Sequence, residues 1–107
     1  MTNNWAYDFE CDLPILGILG RLNAAGQWQW IERDKEAFGT YISSVPAAGV
    51  RVRVYDLHSP DSNGPKYTAD FRIEAGSSAT RDEIDATFLG LLAQLSAREI
   101  VAGEYYD

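Results

Sequence analysis

Apolar and polar positions alternate from Trp5 to Cys11. Trp5, Tyr7, Phe9 and Cys11 take one phase, and Ala6, Asp8 and Glu10 take the other. A period of two with aromatics on one side predicts a half-buried strand. The period then lengthens. Ile15, Ile18, Leu19 and Leu22 recur at helical spacing, as one buried stripe requires. Asp12 stands where a helix N-cap belongs, Pro14 falls just inside the first turn, and Gly26 is placed to stop the helix. Gln27 to Arg33 returns to a strand pattern with Trp28 and Trp30 on one face. Asp34 to Glu36 reads as a turn, Phe38 to Val45 as a further strand or an irregular excursion, and Pro46 to Gly49 as a connection.

Val50 to Leu57 is the clearest strand, with Val50, Val52 and Val54 inward and Arg51, Arg53 and Tyr55 outward. The run Ser59 to Pro65 is dense in turn formers. Beyond it Tyr67, Ala69, Phe71 and Ile73 alternate with Thr68, Asp70, Arg72 and Glu74, which predicts a hairpin with a long tip. A second helix is announced by Thr80 and Glu83 as a capping box, and Asp82 and Glu83 complement its positive end. Ile84, Phe88, Leu91, Leu92 and Leu95 mark its buried face. Arg98 to Tyr106 closes the chain as a strand, with Ile100 and Ala102 the candidate inward positions.

Two helices with one apolar stripe each need a sheet with one apolar face to cover. The expected fold is therefore α+β, a single domain over residues 1–107 built as a two-layer sandwich. Its mostly antiparallel sheet has four to five strands and carries both helices on one face. That order is close to the split βαβ, ferredoxin-like plan with an added strand. The opposite sheet face is left without helical cover, so Arg53 should be replaceable there at little cost. Gly17 and Gly20 inside the first helix suggest close approach to the sheet or to the second helix.

Charge narrows the functional classes. The 107 residues carry a formal net charge of −7, and nucleic-acid binding draws most of its affinity from cations on phosphates. Arg51 and Arg53 alone do not make such a patch, so nucleic acid is excluded and a basic protein partner fits better. No run approaches the roughly 18 apolar residues of a membrane span, and Met1 to Glu10 lacks the marks of a secretory signal. A lone cysteine fits a reducing, cytoplasmic setting.

Candidate chemistry is sparse. His58 follows Asp56 with the spacing of an acid/base pair but has no nucleophile in any motif, so a solvated loop histidine is expected. Cys11 is expected to be a small buried hydrophobe. Ser59, Asp61, Asn63, Gly64 and Asp70 mimic part of a calcium loop, yet turn chemistry accounts for them and the terminal bidentate Glu is missing. No metal, cofactor or catalytic residue is assigned. The open face is the candidate site, through Arg51, Arg53, Tyr55, Asp70 and Arg72 with Glu36 at the rim, because Arg and Tyr are enriched at binding hot spots. Trp28 and Trp30 are either core or an exposed anchor. The leading expectation is a small acidic protein-binding module that occludes or regulates a partner, comparable to immunity proteins or secretion chaperones in size and charge. The alternative is a small-molecule-binding or enzymatic ferredoxin-like domain, with its site between the layers or at a homodimer interface. Self-pairing of the open sheet into a homodimer is the third reading.

Overall fold

The aromatic alternation near the N-terminus becomes β1 (Asn3–Glu10), followed by α1 (Ile15–Ala25). The computed structural model describes residues 3–35, 39–56 and 66–103. After α1 come β2 (Trp30–Lys35), β3 (Gly39–Ser44), β4 (Val50–Asp56) and β5 (Lys66–Ile73). Helix α2 (Arg81–Gln94) and strand β6 (Arg98–Gly103) complete the order. The expected α+β class and open antiparallel sheet are present, but with six strands among the described residues instead of four to five.

The sheet runs β2-β3-β4-β5-β1-β6, with every neighbouring pair antiparallel. Strands β1 and β2 therefore point the same way, separated by three strands, and α1 carries the chain between them. The stretch that the sequence left open supplies the difference. Asp34 and Lys35 continue β2 and do not turn, and β3 pairs along all of it, from Trp30 opposite Ser44 to Lys35 opposite Gly39. Glu32, Arg33, Asp34 and Lys35 are all exposed on this edge. Charge there conceals the strand pattern, and it also discourages another chain from pairing with the edge.

One sheet face meets both helices. Val50, Val52 and Val54 lie opposite Ile73, Phe71 and Ala69, which lie opposite Asn3, Trp5 and Tyr7 on the far side. Trp5 stacks on Phe71 with centroids 5.0 Å apart, and Phe88 of α2 meets Phe71 edge-on at 4.9 Å. Ile18 and Leu22 of α1 and Ile84, Leu91, Leu92 and Leu95 of α2 fill the same core. Asp85 fastens α2 to β1: its two oxygens accept hydrogen bonds from Trp5 Nε1 at 2.8 Å and Tyr7 Oη at 2.9 Å. Thr80 caps α2 as its sequence predicts, its hydroxyl accepting from the Glu83 amide at 3.3 Å.

Several expectations are corrected. Asp12 does not cap α1. Pro14 holds the N-cap position, where its fixed φ of −67° suits the helix entry, and its carbonyl accepts the first helical bond from Ile18 N. Asp12 instead accepts from Arg98 Nη2 at 2.9 Å. Gly26 does end the helix, in the left-handed conformation at φ 75°. Ile100 and Ala102 are exposed, because β6 is an edge strand that the helices do not reach across. Trp28 precedes β2 and is half-buried against Phe88, while Trp30 is buried, so both tryptophans pack with the core.

The helix glycines do not mark close packing. A methyl group at Gly17 would meet Pro14 Cδ at 3.2 Å, within its own helix entry, and one at Gly20 would meet nothing within 4 Å. Gly20→Ala should therefore stabilise the domain by up to about 1 kcal/mol, read as a higher urea midpoint with unchanged slope. A loss of stability would show that Gly20 lies against something in solution.

Candidate functional site

The face turned away from the helices is laid out in rows by the strand register. The central row runs Ile31, Ser43, Arg53, Asp70 and Ala6 across β2, β3, β4, β5 and β1. On one side lies the row Arg33, Tyr41, Tyr55, Thr68 and Asp8. On the other, Arg51 stands directly opposite Arg72, and Val45 follows the end of β3. The register thus brings together Arg51, Arg53, Tyr55, Asp70 and Arg72, as the sequence phase predicts. Glu36, His58 and the turn-rich run before Lys66 lie outside the described residues.

These residues do not form one site. Arg53 and Asp70 make a bidentate pair, with Nε to Oδ1 at 2.9 Å and Nη2 to Oδ2 at 2.7 Å. Arg53 is only 8 % exposed and Asp70 is fully buried. The expectation that Arg53 is a solvated, dispensable surface residue is therefore wrong: it neutralises a carboxylate closed off from water. Beside this pair, Thr68 Oγ1 donates to Asp8 Oδ1 at 2.6 Å. The Tyr55 phenol is pushed up to about 12, first by burial, then by the Asp70 carboxylate, against a smaller opposing effect of Arg53. The middle of the face is a satisfied polar network whose first role is to hold β4, β5 and β1 together.

The rim toward β2 and β3 differs in character. A shallow hollow of about 230 Å³ is lined by Val45, Gly49, Val50, Arg51, Arg72 and Glu74. A second, of about 220 Å³, adjoins it through Val45 and is lined by Ile31, Arg33 and Ser43 among others. Ile31 is 51 % exposed and Val45 70 %. The Nε of Arg72 is shielded from solvent and finds no acceptor among the described residues.

Charge is sorted between the two faces. Arg33, Lys35, Arg51, Arg53, Lys66 and Arg72, six of the nine basic residues, share the open face by strand alternation. Asp8, Glu10 and Asp70 lie there too and Glu74 lines its rim, while Glu32 and Asp34 on β2 and Asp56 on β4 take the opposite phase. Asp82, Glu83 and Asp85 lie on α2. Sequence reasoning missed Ile31, Arg33, Tyr41 and Val45. The signal for Ile31 and Arg33 is their phase opposite Trp30, and Tyr41 and Val45 follow only once residues 39–44 are known to be a strand.

Elsewhere the chemistry is quiet. Cys11 is fully buried and its thiol donates to the Leu95 carbonyl at 3.6 Å, the setting of a core residue. Among the described residues, no group of three or more His, Cys, Asp or Glu is placed to hold a metal ion, and no helix is long and apolar enough to cross a membrane. No protein-family model matches the chain, and a search of curated proteins finds no relative.

Proposed function

We propose that this protein is a binding module that engages a protein partner through the open sheet face and acts by occluding or regulating that partner. The observation that supports this reading is the rim of the face. Arginines alternate there with exposed apolar side chains over shallow hollows, the composition found at protein-binding hot spots. Both hollows are smaller than the roughly 300–1,000 Å³ of typical small-molecule sites. The topology fits a ferredoxin-like split βαβ plan widened by the β3–β4 pair, a frame that leaves one sheet face for such use.

The charge sorting refines which partner suits which surface. A basic partner, the expectation from net charge, would meet the acidic groups of α2 and the outer edge of β2. The open face suits an acidic one. In either case long-range attraction is screened beyond about 8 Å at physiological ionic strength, so association should slow as salt rises.

The test is capture of the partner from the native host, mapping of its footprint by hydrogen exchange, and association kinetics at two salt concentrations. Protection should fall on β3, β4 and β5 near Tyr41, Arg51 and Arg72, with a salt-sensitive on-rate. A footprint on the helical layer would move the interface. Turnover of a small molecule, abolished by Cys11→Ala or His58→Ala, would replace the binding module with an enzyme.

A further inference from the structure

We infer that the hollow beside Arg72 accepts a carboxylate from an acidic, partly apolar peptide segment of the partner. The inference rests on the binding-module reading and specifies what the face recognises.

Its first support is the register. Arg51 and Arg72 occupy directly opposed positions on β4 and β5. Two guanidinium groups at neighbouring positions raise the positive potential there, which draws an anion toward this part of the rim. Two residues further along, on the same face, the two strands place Asp70 against Arg53 and pair them. The adjacent row thus shows how a carboxylate seats against a guanidinium on this face.

Its second support is the orphaned donor. Arg72 Nε is buried without an acceptor among the described residues, and such a group carries a desolvation cost until an acceptor reaches it. A guanidinium presents its Nε and terminal nitrogens as a fork that fits the two oxygens of a carboxylate. Arg72 is itself part of the lining of the hollow. Glu74 lies on the same lining and sets a limit, since it repels an anion on that side and favours approach from Val45.

Its third support is the surroundings. Val45 and Val50 line the hollow, and Val45 joins it to Ile31 in the next one. A carboxylate flanked by apolar side chains meets both features at once. A nucleic acid does not. A polyanion would gain few phosphate contacts here and would meet a protein whose net charge is −7.

The test uses the intact protein and two short, acetylated and amidated peptides. One alternates leucine with glutamate, and its twin carries glutamine in place of glutamate. Titration is followed by NMR at the arginine Nε–H and backbone amide signals. The glutamate peptide should shift Arg72 Nε–H and the amides of Val45 and Arg51 saturably, and the twin should bind about tenfold more weakly or worse, the scale of one charge-assisted hydrogen bond. Arg72→Gln should erase the difference between the peptides. Arg72→Lys should restore part of it, because lysine keeps the charge and loses the fork. Equal affinity for the two peptides, no saturable shift up to the peptides' solubility, or shifts confined to another surface would overturn the inference. Tighter binding of a single-stranded oligonucleotide than of the glutamate peptide would also overturn it, in favour of a phosphate ligand. If the partner's footprint lies on the open face while the glutamate peptide fails, the carboxylate is wrong and the binding module stands. If the footprint lies elsewhere, the module's assigned face fails first.

Discussion

Arg53→Ser should destabilise the domain by roughly 3–5 kcal/mol, the cost of leaving a buried carboxylate without its cation. Asp70 is fully buried and receives both arms of the Arg53 fork at 2.9 and 2.7 Å. Serine at position 53 reaches neither oxygen, and the hole it leaves is rimmed by Ser43 and Asp70 on the neighbouring strands. The two positions are coupled, so a double-mutant cycle gives the decisive reading. Arg53→Met combined with Asp70→Leu removes both charges and keeps apolar volume, and it should recover most of the loss, since replacing a buried pair by hydrophobic side chains is often neutral. The measurement is urea denaturation of the wild type, the two single variants and the double variant. A loss below about 1 kcal/mol for Arg53→Ser would show that water reaches Asp70 and that the pair is an ordinary surface bridge.

The same pair shows where sequence patterning stops. Alternation along β4 correctly sends Val52 and Val54 to the helices and Arg53 to the other side. It says nothing about what lies beside a strand. Arg53 is buried because β4 is an interior strand of a wide sheet, with Tyr55 and Arg51 on either side of it along β4 and Asp70 across from it. Width depends on β2 and β3, and that is the stretch where charged residues blurred the pattern. The open reading of residues 34–48 therefore reached the site: Tyr41 and Val45 had no place until β3 was a strand, and Ile31 and Arg33, opposite Trp30 in phase, had no neighbouring strand to join on the open face. Helix α2 was legible in full, because its cap, its acidic first turn and its apolar stripe are all local signals. Asp85 was not, since its role depends on Trp5 and Tyr7, some 80 residues away.

The net charge says little about the partner for a related reason. A total of −7 suggests a basic partner only if the charges are mixed over the surface. The strands instead collect most of the cations on one face, while α2 and the edge of β2 hold many of the anions. A sum over residues carries no direction; the register supplies it. The proposed recognition of an anion by the open face is then compatible with a chain that is acidic as a whole.

Raising the pH above about 10 should destabilise the domain, with the loss of stability tracking tyrosine ionisation. Tyr55 is pushed up to about 12 by burial and then by Asp70, and Tyr67 to about 12 by burial and then by Asp56. Tyr7 is raised as well, by burial first and then by its bond to Asp85. In the unfolded chain these phenols ionise near 10. Below that pH both states hold the protons and the stability from burying neutral phenols is fully present. Between about 10 and 12 the unfolded state releases protons that the folded state keeps, so stability falls with rising pH. Two units at about 1.4 kcal/mol each give about 3 kcal/mol for each of Tyr55 and Tyr67, a large share of the 5–15 kcal/mol of a typical domain. The urea midpoint should fall as pH rises from about 10 to 12, and tyrosinate absorbance should show Tyr55 and Tyr67 ionising only with the loss of structure. Tyr67→Phe removes one of the two and also the 2.7 Å bond from its hydroxyl to the Leu13 carbonyl. That variant should be less stable at neutral pH by about 1 kcal/mol, yet lose stability more gradually between pH 10 and 12. Titration of all the tyrosines near 10 with the fold intact would show that water reaches Tyr55 and Tyr67, and would remove the closed polar network at the centre of the open face.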